Sequence, residues 1–247
     1  MLNDIYQALD PIAFTIGSLS VRWYGLAYSL GVLLAGFLII RTARHWKLSI
    51  TLDHVLTITL AAIIGIVVGG RLGYVLFYGE GYYFQHPELI LAFSNGGMSF
   101  HGGVIGMLVA LIVVARVTTI PFLTLGDLVV IAAPIGLFLG RVANFINGEL
   151  WGAPTTLPWG VVFAGAGALP RHPSQLYEAL LEGVVLFMVL YLLSRKLPAR
   201  PRGTFVGVFL ALYGLFRIAV EFVREPDAHI GYLLGDWLTM GMVLSLP

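Results

Sequence analysis

The chain has 247 residues, 58% apolar and 11% charged, with 14 Lys and Arg against 13 Asp and Glu and a net charge of +1. Soluble domains carry about 25% charged residues, so this composition, with a mean hydropathy of +0.90, excludes a disordered chain and an ordinary soluble enzyme, and offers no basic face to nucleic acid. The absence of cysteine excludes a disulfide, a thiolate metal site and a cysteine nucleophile of its own.

What remains is a polytopic membrane protein. A spanning helix needs about 20 mostly apolar residues. Residues 1–20 mix Asp4, Asp10 and Pro11 with apolar side chains and lack the basic start and cleavage site of a signal peptide, which predicts an interfacial segment. Six spans follow at about 22–40, 55–78, 98–115, 124–145, 176–193 and 204–223. A seventh candidate, 237–247, is too short to cross. The expected fold is therefore an all-α, polytopic membrane helix bundle forming one domain over 1–247. Its connection at 146–175 is short. Small residues four apart (Gly65, Gly69 and Gly73; Gly102 and Gly106; Gly136 and Gly140; Gly203 and Gly207) predict close helix packing in lipid.

Eight of the cations, Arg41, Arg44, Lys47, Arg116, Arg195, Lys196, Arg200 and Arg202, fall in connections on one side. Positive loops face the cytoplasm, which puts the N-terminus outside. The six remaining arginines serve another purpose. An ionised side chain at the bilayer centre costs about 2.5–3.5 kcal/mol even on the lenient insertion scale, so such groups are functional candidates. Tyr24, Arg71, His101, Arg141, Asn144, Asn147, Glu149, Glu178, Glu182, Arg217, Glu221 and Arg224 all fall toward the outer ends of their spans. A pore would string them through the full thickness.

Two arginines on different helices, Arg141 and Arg217, suit a phosphate anion, because guanidinium matches it bidentately. Glu221 lies four residues after Arg217 and could hold it in place. Histidine is suited to general-base work near neutrality, and His101 lies beside Gly102 and Gly103. The plainer alternatives are that Arg141 and Arg217 only pair with Glu149, Glu178 or Glu221, and that His101 is a structural helix-start residue. Ser99 is not in a nucleophile elbow, and the six histidines show no metal-ligand spacing.

The run Gly140-Arg141-Val142-Ala143-Asn144-Phe145-Ile146-Asn147-Gly148-Glu149-Leu150-Trp151-Gly152 resembles the signature of the bacterial prolipoprotein diacylglyceryl transferases. The blocks 96–106 around His101, 171–178 (Arg-His-Pro-Ser-Gln-Leu-Tyr-Glu) and 213–227 are similar to the same family, as are Trp23-Tyr24-Gly25 and 69–74. The resemblance implies a seven-span enzyme of the bacterial inner membrane that uses no cofactor or metal. It would transfer the diacylglyceryl group of phosphatidylglycerol to the lipobox cysteine in the signal peptide of a lipoprotein precursor, forming a thioether and releasing glycerol phosphate. Arg141 and Arg217 would then hold the phosphate and His101 would be the candidate base, facing the outer leaflet. Tyr24, Asn144, Glu149, Gly152, Tyr213 and Glu221 match other functional positions, with Asn147 and Arg224 grouped beside them for substrate binding. Relatives often carry a longer insertion between Trp151 and Arg171, and the family continues into a last span where this sequence ends. Two other classes stay open: a transporter or channel for an anionic solute, and an inactive lipid-binding scaffold.

Overall fold

The computed structural model describes residues 2–79, 81–93, 96–196, 200–225, 232–235 and 238–245. Of the expected features, Asn95, Asp227, Trp237 and Pro247 lie outside the described residues.

The chain opens with a short helix α1 (Leu2–Gln7) and a hairpin of β1 (Ile12–Ile16) and β2 (Leu19–Arg22), paired antiparallel. Residues 2–22 thus form a folded layer that packs on the bundle through Tyr6, whose ring meets Phe145 and Phe163 edge-on at 5.5 and 4.9 Å. The sequence reading of an interfacial segment contains no strand. The hairpin departs from an all-α chain only locally.

Six helices are long and apolar enough to cross a membrane. They are α2 (Trp23–His45), α3 (Leu52–Phe77), α5 (Phe100–Thr118), α6 (Phe122–Asn147), a fifth span over Ser174–Arg195 and α9 (Thr204–Glu221); α4 (Tyr82–Gln85) is a single turn between α3 and α5. The protein is a multi-pass membrane helix bundle. The fifth span is built from α7 (Ser174–Glu178), a π-helical stretch Ala179–Val185 and α8 (Leu186–Lys196). Helix α2 runs five residues beyond its apolar stretch, with Arg44 in its last turn, where a cation opposes the helix dipole. Exposed Leu33, Phe37, Leu60, Ile64, Ile105 and Val113 give the helices an apolar outer face for lipid.

Short connections at 46–51 and 119–121, and residues 200–203 before α9, lie at one end of the bundle with the basic residues. At this basic end, Asp127 accepts hydrogen bonds from the backbone N–H groups of Gly203 (2.7 Å), Phe205 (2.9 Å) and Val206 (3.0 Å). A carboxylate there satisfies the orphan donors of α9 and its dipole. Asp127 is a structural cap. The indole of Trp46 donates to the Ser194 carbonyl at 3.1 Å, tying α2 to the fifth span.

Helices α3 and α5 meet along the glycine seam. A Cβ on Gly69 would strike the Gly102 carbonyl, one on Gly106 the Gly65 carbonyl, and one on Gly73 would come within 2.7 Å of the Gly102 Cα. The expected spacing of small residues is used here as contact between backbones. Gly140 and Gly207 have no atom near a would-be Cβ, so at those positions the spacing carries no such contact.

The other end of the bundle, the polar end, carries longer connections. Arg71, 1% exposed, organises one of them. Its Nε donates to the Ile90 carbonyl (2.8 Å), Nη2 to Leu89 (2.7 Å) and Nη1 to Gly96 (2.5 Å), and its guanidinium lies 5.1 Å from the Tyr83 ring. The sequence groups Arg71 with the carboxylates of the candidate site, but no carboxylate among the described residues pairs with it. Backbone carbonyls, invisible in a residue pattern, are its hydrogen-bond partners among the described residues. Arg71→Leu should cost about 3 kcal/mol, since it strands several buried acceptors at once. A thermal melt and protease sensitivity within 79–99 check this, and an unchanged melt would refute the clamp.

The segment after α9 forms β3 (Tyr232–Leu234) and β4 (Leu238–Thr239), then α10 (Met240–Leu244), which packs back on α9. Where the sequence suggests the start of a last span, the described residues form a small hairpin and one short helix.

Candidate active site

The polar end gathers the expensive charges around one side chain. Glu178, at the end of α7, has no exposed surface. Its Oε2 lies 2.6 Å from Nε of Arg141, and its Oε1 lies 3.1 Å from Nη1 of Arg224 and 3.4 Å from Nη1 of Arg217. Three guanidiniums from α6, α9 and the turn after α9 thus converge on one carboxylate. Arg217 also meets Glu221 Oε2 at 2.6 Å, the pairing that their i,i+4 spacing suggests. Glu182, likewise without exposed surface, has Arg141 Nη2 at 3.7 Å, and neither of its oxygens accepts a hydrogen bond among the described residues. Among the described residues the cluster therefore balances three arginines with three glutamates.

Of the pairings weighed from sequence, Glu178 and Glu221 hold the arginines and Glu149 does not. Glu149 belongs to a neighbouring hydrogen-bonded shelf. Asn144 Nδ2 donates to Glu149 Oε1 at 2.7 Å and to the Tyr24 hydroxyl at 3.3 Å, and Asn147 Nδ2 reaches the same Glu149 oxygen at 3.5 Å. Tyr28 donates to Tyr24 at 3.4 Å. Gly148 ends α6 in the left-handed conformation with φ 68°, open to glycine at little cost. The chain then folds back so that the Glu149 N–H donates to the Asn144 carbonyl at 3.1 Å, and Gln175 Nε2 pins the Glu149 carbonyl at 2.6 Å. Asn144 lies three residues beyond Arg141 and shares its helix face, which sets the shelf beside the cluster.

Gly152 has a backbone role. It pairs with Arg224 in an isolated bridge, its N–H donates to the His172 carbonyl at 2.9 Å, and a Cβ there would strike the Val223 carbonyl. This stitch joins the 148–173 connection to the end of α9 and turns Arg224 back over Glu178. Arg171 and Trp151 lock the same connection by donating to Glu225 Oε2 at 2.5 and 3.1 Å. His172 continues it, in a chain from the Trp159 indole N–H to the Tyr177 hydroxyl (2.7 Å) and on to His172 Nδ1 (3.2 Å). Burial lowers the His172 pKa below its ordinary value, which favours the neutral ring that can accept from Tyr177. Tyr213 stacks on Phe209 at 5.6 Å and lies within electrostatic reach of Glu182 and Arg141.

His101 stands apart. It is exposed in the first turn of α5, edge-on to Phe100 at 5.6 Å. No hydrogen bond or ion pair among the described residues links it to the arginine cluster. Its neighbours Gly102 and Gly103 are helical, and Gly102 is packed into the α3–α5 seam. Packing, not local flexibility, accounts for Gly102.

Among the described residues no three His, Asp or Glu side chains are placed to hold a metal ion. The arrangement can hold an anion. Glu178 engages one donor group on each guanidinium, and a guanidinium carries five N–H donors.

The family model for prolipoprotein diacylglyceryl transferase matches residues 11–247. The chain belongs to this family. It is 51% identical over 242 residues to the phosphatidylglycerol–prolipoprotein diacylglyceryl transferase of Geobacter sulfurreducens, covering 98% of this chain and 92% of that one. The enzyme of the same name from Rhizobium meliloti is 52% identical over 250 residues, covering 98% and 89%, and that of Brucella canis 51% over 251 residues, also 98% and 89%. Membership at this identity fits the transferase reading and not the transporter. The sequence overlooked Glu178 as the hub, although it closes the Arg171–Glu178 block and stands four residues before Glu182.

Proposed function

We propose that this chain transfers the diacylglyceryl group of phosphatidylglycerol to the lipobox cysteine in the signal peptide of a lipoprotein precursor, without a cofactor. The reading adds the family's activity to one observation: three arginines of the polar end, Arg141, Arg217 and Arg224, on three elements, share Glu178. In the reaction the cysteine sulfur bonds to the glyceryl carbon and the bond from that carbon to the phosphate oxygen breaks. Its electron pair goes to the departing glycerol phosphate, and the thiol proton goes to a base. Charge gathers on the phosphate as this bond breaks. Arg141 and Arg217, pre-positioned in a dry site, would stabilise it, which is usually the largest catalytic contribution. Tyr24, Asn144, Asn147 and Glu149 form a hydrogen-bonding shelf suited to headgroup hydroxyls, and Tyr213, Glu221 and Arg224 border the phosphate. Gly152 serves through its backbone by placing Arg224.

His101 is proposed as the base, from the family resemblance and its place at the polar end, where its ring is exposed to an incoming thiol. His101→Asn should lower kcat on the order of 100-fold, the low end for loss of a general base; an unchanged rate would exclude it. Residues 1–247 are read as one membrane-embedded domain of the bacterial inner membrane, with the N-terminus and the site at the outer leaflet. The clustering of basic residues at the opposite end supports that orientation. Detergent-solubilised protein incubated with phosphatidylglycerol and a peptide bearing a lipobox cysteine should raise the peptide mass by one diacylglyceryl group. Lipid binding with no mass gain would favour the inactive scaffold.

A further inference from the structure

Arg217 is held from beyond its own helix. We infer that Thr239 and Gly241 are positioning residues for the transfer reaction, fixing the carboxylate of Glu221 and through it the guanidinium of Arg217. The inference rests on the reading that Arg217 engages the lipid phosphate.

Thr239 is 3% exposed. Its hydroxyl accepts a hydrogen bond from the Met242 N–H at 3.2 Å, capping α10, and donates to Glu221 Oε1 at 2.8 Å. The group has one donor and two lone pairs: a lone pair takes the Met242 N–H, and the carboxylate, which can only accept, takes the hydroxyl proton. That proton is therefore aimed at Glu221. The other oxygen of Glu221, Oε2, holds Arg217 Nη1 at 2.6 Å, and the same Nη1 faces Glu178 Oε1 at 3.4 Å. The two oxygens of Glu221 thus look in opposite directions, one to the frame and one to the arginine.

Gly241 supplies the space. A Cβ there would lie 2.5 Å from Glu221 Oε1 and 2.8 Å from its Cδ, closer than real Cβ atoms come, so any side chain must push the carboxylate aside. The frame is itself anchored. Thr239 pairs with Tyr232 across the β3–β4 hairpin, and the Ser245 carbonyl lies so near Gly214 of α9 that a Cβ there would come within 2.7 Å of it. The segment 238–245 acts on the site from behind. A carboxylate able to rotate would let Arg217 swing, and misplacement of about 1 Å in a positioning group can cost on the order of 100-fold in rate.

The full chain carrying Thr239→Val, Thr239→Ser, Thr239→Asp or Gly241→Ala is assayed for transfer to a lipobox-cysteine peptide, with kcat and KM for phosphatidylglycerol and a thermal melt for each. Thr239→Ser keeps both hydrogen bonds and should stay within about twofold of the parent chain. Thr239→Val should lower kcat about tenfold, the scale of a hydrogen bond to a charged group. Thr239→Asp keeps the cap but replaces the donor with a second carboxylate facing Glu221, so it should fall at least as far as Thr239→Val. Gly241→Ala should lower kcat without altering the hydroxyl. In a Glu221→Gln background, Thr239→Val should add little further loss, because both changes act through one contact.

A frame that only stabilises the fold would leave Thr239→Asp active and make kcat follow the melting temperature. That result, or full kcat in Thr239→Val and Gly241→Ala, overturns the inference. If Thr239→Val does not accumulate, Thr239→Asp and Gly241→Ala carry the same test. Near-normal transfer by Arg217→Ala would instead sink the phosphate reading beneath it. A disabled Arg217→Ala beside fully active Thr239 and Gly241 variants sinks this inference alone.

Discussion

Arg141→Ala and Arg217→Ala should each lower diacylglyceryl transfer on the order of 100- to 1,000-fold, the range for removing one pre-positioned donor to developing charge. The protein should still insert. Each guanidinium is anchored on one side, Arg141 by Glu178 at 2.6 Å and Arg217 by Glu221 at 2.6 Å, and offers its other N–H groups to an anion. Lysine at either position keeps the charge but loses the planar fork, so the lysine variants should fall between alanine and the parent chain. The two alanine variants should differ in stability. Removing Arg217 leaves Glu178 with Arg141 and Arg224, and leaves Glu221 with the Thr239 hydroxyl. Removing Arg141 takes from Glu182 its nearest described cation, at 3.7 Å, and strands a fully buried carboxylate. Arg141→Ala should therefore melt lower than Arg217→Ala. Product mass spectrometry with matched melts checks both statements, and near-normal transfer in either variant would remove that arginine from the phosphate clamp.

The features that could be read from sequence are those whose cause is local. Apolar stretches of spanning length place six helices, because a membrane helix must satisfy its backbone internally. The Arg217–Glu221 pair follows from spacing along one element. Arg71 and Arg141 look alike in sequence, each an arginine toward the polar end of an apolar helix. Yet Arg71 folds into a nest of carbonyls and Arg141 faces carboxylates. That difference depends on how the 79–99 connection packs. The spacing of Gly102 and Gly106 predicts close packing, but it does not say that the partner of Gly102 is Gly69 on another helix. Thr239 gives no signal at all, since it acts through a carboxylate 18 positions away. Long-range convergence on Glu178 joins α6, α7 and the end of α9, and no spacing rule reaches across three helices.

Glu178→Gln should disable transfer as thoroughly as loss of an arginine, though Glu178 has no exposed surface to offer a substrate. The substitution keeps the shape and removes one negative charge from beneath three guanidiniums. In lipid-free detergent it should cost about 3 kcal/mol or more, the scale of breaking a buried ion pair by removing one member. The loss has a specific remedy. The reading that places a phosphodiester on Arg141 and Arg217 also supplies an anion to the same cluster, so phosphatidylglycerol should raise the melting temperature of Glu178→Gln more than that of the parent chain, by binding linkage. Tighter ground-state binding does not restore catalysis, because only interactions stronger in the transition state accelerate the chemistry. The expected signature is a much lower kcat with a KM for phosphatidylglycerol that is unchanged or lower. Glu178→Asp, which keeps the charge but shortens the reach, should recover stability before it recovers rate. A Glu178→Gln variant with near-normal kcat would show that the arginines hold their geometry unaided, and a raised KM at constant kcat would move Glu178 from arranging the cluster to simple lipid binding.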